Sequence, residues 1–233
     1  MPDRAACQSA SGRCLVNETL RTALASIADQ LGLPLAEPQR EALLAYLSLL
    51  QRWNLTYNLT SVRDPSEMLT LHLADCLAVV GPMKAKQGDH GSVRVLDVGS
   101  GAGLPGIVLA ILQPSLSMTC LDKVGKKAAF VRQAVAELGL TNVAVQHGRV
   151  EGSGSASFGL IVSRAFASLA EFVALTRHHL APGGVWLAMK GKPPAEELLA
   201  LPSDIDVFHV EPLQIPGLNA QRCLVWMRLR QSA

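Results

Sequence analysis

Apolar residues recur along this chain with two different periods. Leu20, Leu24, Ile27, Ala28 and Leu31 fall at helical spacing within Asn17–Leu31. Leu43, Leu44, Leu47 and Leu50 do the same in a second helix that Glu37-Pro38 opens, with proline in its first turn. From residue 93 the pattern changes to short apolar runs of strand length, Val93–Val98, Ser117–Leu121, Asn142–Gln146, Phe158–Ser163 and Val185–Met189. Helical stretches separate them: Ile107–Leu112, the run after Asp122 carrying Ala128, Phe130, Val131, Ala134, Val135 and Leu138, and Leu169–Leu180. Strands alternating with helices predict a parallel sheet. The last two runs, Asp206–Leu213 and Arg222–Arg230, have only a Pro/Gly loop between them and predict an antiparallel hairpin. The expected fold is α/β: a Rossmann-like, mostly parallel seven-stranded sheet with a C-terminal antiparallel hairpin and an N-terminal helical extension.

Three segments follow from this pattern: a disordered tail over 1–16, since Met1 to Cys14 is small, polar and aperiodic, a helical extension over 17–90, and the α/β core over 91–233. Within the extension, Arg52–Val62 is neither cleanly helical nor cleanly a strand. Asp64-Pro65-Ser66-Glu67 has the residues of a helix start, with Asp as N-cap and Pro at the first position. His72 and Asp75 lie one turn apart on that helix and are expected to pair. Gly81–Ser92 is expected to be a linker, and Pro182-Gly183-Gly184 a tight turn.

The chemistry concentrates in VRVLDVGSGAGLPG, residues 93–106. A strand ending in Asp97, then Gly99, Gly101 and Gly103, then a helix, is the first half of a nucleotide-binding βαβ unit. Gly101–Gly106 also spells the dinucleotide fingerprint, but a carboxylate at Asp97 would oppose a pyrophosphate and welcome a cation. S-adenosylmethionine (SAM), with a nucleoside, a sulfonium, an ammonium and no phosphate, fits better. Asp122 ends the next strand 25 residues later, where a carboxylate accepts from ribose hydroxyls. Val150 and Glu151 follow the third strand, the place of the adenine in such folds. Arg164 and Lys190 end the fourth and fifth strands and face the same ligand, positioning the acceptor with no general base expected. Lys123, Lys126, Lys127 and Arg132 form a basic run beside the carboxyl edge of the sheet, and Asn58, Arg63 and His72 stand on the substrate side; Asn58, Arg63, His72, Lys126, Lys127 and Arg132 are the candidate RNA contacts.

What is missing narrows the acceptor. The fourth strand ends in Ser163-Arg164-Ala165-Phe166, without the [DNS]-P-P-[YFW] of enzymes acting on exocyclic amino groups. No cysteine ends strands four or five, which disfavours attack at cytosine C5 through a thiolate. An atom with a free lone pair, such as guanine N7, needs neither device. Methylation of another RNA or of a small molecule, a dehydrogenase-like nucleotide binder and a non-catalytic ribosome-assembly factor fit the same residues.

Composition changes this picture little. The 233 residues are 49% hydrophobic, ample for a core, and a net charge of +2 confines any RNA-binding surface to a local patch. The five cysteines are scattered without C-x-x-C pairs, which predicts reduced thiols, no metal site and a cytoplasmic location. No membrane span is expected, and a monomer is expected.

The combination WNLTYNLTSVRDPSEM with H-x-x-D, LDVGSGAGLPGIVLAI, SRAFASL and AMKG resembles the RsmG (GidB) family, from about Glu37 to the C-terminus. The LPG and SRAFASL segments carry the resemblance; the glycine motif is general to methyltransferases. It implies a SAM-dependent enzyme methylating N7 of one guanine in 16S ribosomal RNA, within the small subunit or its precursor. It also implies a SAM site at Gly99, Leu104, Asp122, Lys123, Val124, Val150, Glu151 and Arg164. Leu104 stands where the family often has Phe.

Overall fold

The computed structural model describes residues 18–87, 93–152, 157–164, 166 and 168–230. The expected tail and the end of the expected linker lie outside these residues. Helix α1 covers 18–30 and α2 covers Glu37–Tyr57. Helix α3 begins as Pro65–Met68, widens into a π-helical stretch at Leu69–Ala74 and ends as Asp75–Leu77. Helix α4, Val80–Gln87, follows. Then come β1 (Arg94–Val98), α5 (Gly106–Leu112), β2 (Ser117–Asp122), α6 (Gly125–Glu137), β3 (Val143–His147), β4 (Phe158–Ser163), α7 (Leu169–Thr176), β5 (Leu180–Lys190), α8 (Ala195–Leu199), β6 (Ile205–Leu213) and β7 (Arg222–Leu229).

The strands form one seven-stranded sheet in the order β3-β2-β1-β4-β5-β7-β6. The first five strands pair in parallel, and β7 lies antiparallel between β5 and β6. Order reverses between β1 and β4, which opens a crevice at their carboxyl ends, where ligands bind in open α/β sheets. All seven residues of α5 are buried. The reason is layering: α5 shares one apolar cluster with Leu24 of α1, Leu43, Tyr46 and Leu50 of α2, and Leu73 and Leu77 of α3. Helix α7 covers the opposite face, packing Leu169, Phe172 and Val173 with Ile161 and Trp186.

The sequence pattern placed the strands to within a residue or two except β5, which begins at Leu180 and not at Val185, and several other expectations need correction. Arg52–Val62 is not irregular throughout: α2 runs on to Tyr57 because Trp53 stacks edge-on against Phe130 of α6, with ring centroids 5.6 Å apart. It stops at Asn58, whose left-handed backbone (φ 47°) suits asparagine. The expected linker is helical through Gln87. Leu169–Leu180 is shorter as a helix: it tightens into a 3₁₀ turn at Arg177–His179 before β5 begins. Pro182–Gly184 is absorbed into β5 as an irregularity in its pairing with β4. Asp64 is the N-cap expected, its Oδ1 accepting from the Ser66 and Glu67 N–H groups at 2.9 and 3.0 Å. The stretch Pro65–Lys86 has the length and mean hydropathy (1.2) of a membrane span, but 67% of that window is buried inside the protein, as in a core helix.

Candidate active site

The glycine turn after β1 is held by the neighbouring strand β2 and by helix α2. Gly99 and Ser100 donate their N–H groups to the Leu121 carbonyl of β2, at 2.9 and 3.1 Å. Gly101 donates to Asp122 Oδ2 at 2.8 Å, and Asp122 Oδ1 accepts from the Val124 N–H at 2.8 Å. Each of these carboxylate oxygens keeps a lone pair for a ligand hydroxyl. From the other side, the buried Tyr46 hydroxyl donates to the Ala102 carbonyl at 2.7 Å. Gly99 and Gly101 have positive φ (69° and 58°), which a β-carbon would strain. Gly103 shares the positive φ (83°) and is needed for packing as well, since a Cβ there would lie 2.6 Å from Ile107 Cγ1.

A cavity of about 400 Å³ opens at this turn. Its polar wall includes Asp122, Lys123, Lys127 and Glu151, and its apolar wall includes Val150 and Phe166. Gly99 also lines it, and a Cβ built on Gly99 would meet nothing within 4 Å, so it would project into free space. Apolar walls for a base, free carboxylate lone pairs for hydroxyls and an ammonium, and a glycine that leaves the backbone bare fit SAM.

A second cavity of about 320 Å³ lies at the carboxyl ends of β4 and β5, lined by His72, Asp75, Arg164, Lys190 and Arg222 among others. Arg164 and Phe166, two residues apart, line one cavity each. Asp75 is central here. Its Oδ1 accepts from Arg222 Nε at 3.0 Å, and its Oδ2 lies 3.6 Å from Arg164 Nη1. Lys190 Nζ donates to Glu197 Oε2 at 2.7 Å and to the Phe166 carbonyl at 3.4 Å. Three cations against two carboxylates leave the cavity with a formal excess of one positive charge.

The structure brings Gly99, Asp122, Lys123, Val124, Val150 and Glu151 together at the first cavity. It does not bring Asp97, Gly101, Gly103 or Leu104 to that wall. Asp97 is wholly buried beneath the turn, its Oδ2 accepting from the Gly106 N–H at 2.8 Å, so it shapes the turn and does not face a cation. Burial pushes its carboxyl up to about 7, against the opposing pull of the Gly106 N–H and Arg164. Leu104 is buried in the core with 2% exposure. Arg164, expected at the cofactor, lines the second cavity, and Lys127, expected at RNA, lines the first.

His72 does not pair with Asp75. Its Nε2 meets Thr60 Oγ1 at 2.9 Å, while Asp75 is held by the two arginines. Asn58 and Arg63 are exposed and joined to each other, Arg63 Nη2 donating to Asn58 Oδ1 at 3.0 Å. Beside them Lys126 Nζ donates to the Tyr57 carbonyl at 2.7 Å. Tyr57 is 44% and Leu55 80% exposed, so an aromatic and an apolar tip accompany the charges on this surface. Arg132 is exposed further along α6. Sequence reasoning missed Arg222. The signal was available: in an antiparallel final hairpin, the start of β7 must lie at the carboxyl end of β5, and Lys190 indeed pairs with Cys223.

Comparison with known proteins gives the family and supports the fold. The family model described as GidB, rRNA small subunit methyltransferase G, matches residues 39–225. The Ribosomal RNA small subunit methyltransferase G of Leptothrix cholodnii is 54% identical over 213 residues, 91% of this chain and 97% of that protein. Its counterpart in Methylibium petroleiphilum is 56% identical over 200 residues, 86% of this chain and 90% of that one. Among solved structures, the glycopeptide N-methyltransferase MtfA complexed with sinefungin shares the fold with a TM-score of 0.53 at 16% identity, over 66% of this chain and 86% of that one. The ribosomal protein L11 methylase of Lactobacillus delbrueckii subsp. bulgaricus does so with a TM-score of 0.51 at 17% identity, over 68% and 77%. The chain belongs to the rRNA small subunit methyltransferase G family.

Proposed function

We propose that this protein transfers the methyl group of SAM to N7 of a guanine in small-subunit ribosomal RNA, with the cofactor in the first cavity and the target base in the second. The observation that carries this arrangement is that Arg164 and Phe166, on one short segment after β4, line one cavity each, so ligands in the two would meet across it. Val150 and Phe166 supply apolar walls for the adenine, and Asp122 and Glu151 supply acceptors for hydroxyls.

SAM supplies a methyl group made electrophilic by a cationic sulfur, and guanine N7 offers a lone pair that carries no proton. The protein therefore has no proton to remove, and its work is alignment; orientation of this kind is worth roughly 7–11 kcal/mol of barrier. Asp75 holds Arg164 and Arg222, and Glu197 holds Lys190, so the three cations have fixed directions before substrate arrives. Fixed donors cost no reorganisation during the reaction. Asn58, Arg63 and Lys126 share one exposed surface, and with Arg132 they contact the RNA backbone around the target, where contacts give position and salt dependence rather than sequence choice. The protein acts as a monomer on the small subunit or its precursor.

The test offers radiolabelled SAM, with the purified protein, to small subunits lacking the modification, to naked small-subunit rRNA and to tRNA, and maps 7-methylguanine by strand cleavage. One labelled guanine in the small-subunit RNA is the expected result. SAM binding without transfer to any of the three would leave the cofactor cavity standing and sink the substrate assignment.

A further inference from the structure

Of the chain's phenylalanine, tyrosine and tryptophan residues, all of them among the described residues, Tyr57 alone is exposed. It ends α2 at 44% exposure. The ring is not loose. Trp53, one turn back on the helix, lies against it with centroids 5.0 Å apart and planes tilted by 34°, and Trp53 in turn meets the fully buried Phe130. The chain just beyond is pinned as well: the buried Asn54 accepts from the Thr60 N–H at 2.9 Å and donates to the Val62 carbonyl at 3.0 Å. An aromatic side chain held in this way supplies contact area at a low cost in conformational entropy. Two exposed cations stand with it. Lys126 Nζ donates to the Tyr57 carbonyl and Arg63 Nη2 to the amide oxygen of Asn58, the next residue. Both of these partners are neutral, so the two charges remain available to an anion.

A rigid ring in water between two available cations matches a strand that alternates phosphates with flat bases. Short stretches of chain connect this surface to both cavities. Thr60, at most about 11 Å of chain from Tyr57, meets His72, which lines the second cavity. Lys126 is next in sequence to Lys127, which lines the first. We infer that Tyr57 is a stacking platform for an unpaired base flanking the target guanine, with Lys126 and Arg63 on the adjoining phosphates. The inference rests on reading the protein as an rRNA methyltransferase, and it adds the form of the RNA. The strand beside the target is single, because a base inside a duplex already has both faces covered and cannot lie on a side chain. A second copy of this chain would bring the same cations together around its own ring, so the charge favours RNA as the occupant.

The experiment measures the Kd for unmodified small subunits at several salt concentrations, with SAM affinity by calorimetry and the oligomeric state by sedimentation for each variant. Tyr57→Ala weakens subunit binding about 5- to 150-fold, the span found for removing one stacked base. The loss is the same at every salt concentration, since no phosphate contact goes with the ring. Lys126→Ala instead lowers the slope of log affinity against log salt by about one. Tyr57→Phe and Tyr57→Trp, which keep a π-face, recover most of what Tyr57→Ala loses, and the SAM Kd stays within about twofold in all of them. Subunit binding by Tyr57→Ala within about twofold of wild type overturns the inference, as does a loss in Tyr57→Phe equal to that in Tyr57→Ala, because the hydroxyl and not the ring then makes the contact. A wild-type dimer that Tyr57→Ala dissolves overturns it in favour of a second copy. SAM affinity that falls in step with subunit binding in every Tyr57 variant overturns it too, because the ring then supports the fold. Absence of methyl transfer from wild type to these subunits overturns the rRNA reading and this inference with it, whereas normal transfer with unaltered Tyr57→Ala binding overturns this inference alone.

Discussion

Replacing Gly106 by alanine tests how the strand-end carboxyl and helix α5 fit together. A Cβ on Gly106 would lie 2.6 Å from Cys120 Sγ, 2.8 Å from Asp97 Oδ2 and 3.3 Å from Asp97 Cβ. Asp97 and Cys120 are both at 0% exposure, so neither has solvent to retreat into. Overpacking of this kind costs about 1–3 kcal/mol. Moving the Asp97 carboxyl aside also breaks its 2.8 Å bond from the Gly106 N–H, and its Oδ1 has no partner among the described residues to take over. An unmatched buried polar group adds about 1–3 kcal/mol. The sum, about 2–6 kcal/mol, is a large part of the 5–15 kcal/mol typical of a whole domain. Urea unfolding followed by tryptophan fluorescence reads it directly, since Trp186 and Trp226 are buried. Gly81→Ala in α4 is the control: a Cβ there meets nothing within 4 Å, and stability should hold or rise by up to about 1 kcal/mol. Adding Cys120→Ala to Gly106→Ala removes the nearest clashing atom, so the pair should be less destabilised than the sum of the singles by about 1 kcal/mol or more. A Gly106→Ala midpoint within about 0.5 kcal/mol of wild type, with an unchanged denaturant slope, would refute the packing account.

Three other perturbations follow from the same geometry. Because the folded-state value of Asp97 is raised to about 7, its protonated form favours folding below about pH 4, and that stability is lost as pH rises toward 7 at up to about 1.4 kcal/mol per unit; Asp97→Asn should flatten this part of the stability profile, and parallel profiles for the two proteins would contradict it. Asp122→Asn places an amide NH₂ against the Gly101 or Val124 N–H, so calorimetry should show SAM binding weakened about 10- to 100-fold, and an unchanged Kd would remove Asp122 from the site. Asp64→Ala removes the acceptor for two N-terminal amides of α3 and should cost about 1 kcal/mol in urea unfolding without altering SAM affinity.

The fold was legible because each strand is a short apolar run bounded by turn residues, and because the last two runs lack a helix between them. The glycine turn was legible for a similar reason, since Gly99 and Gly101 occupy backbone conformations that other residues avoid. Side-chain direction was not. Asp97 is the penultimate residue of β1 and Asp122 the last of β2; the first turns under α5, where it accepts from Gly106, and the second reaches the cavity. The pairing of His72 with Asp75 failed because helical spacing says which residues are neighbours along one helix. It says nothing of Arg222, which reaches Asp75 across a separation of 147 residues. The extent of α2 was hidden for the same reason, being set by Trp53 packing on a helix distant in sequence.

The hydrogen bond from Tyr46 to Ala102 has a bearing on genetics. Tyr46 is wholly buried on a helix before the sheet begins, yet it braces the backbone of the glycine turn beside the first cavity. Lesions that silence this enzyme should therefore scatter well beyond the cavity walls, into an N-terminal helix with no chemistry of its own. In a screen for loss of the modification, Tyr46 would register beside the glycine turn. Counting only cavity-lining positions would underestimate how easily mutation switches the protein off.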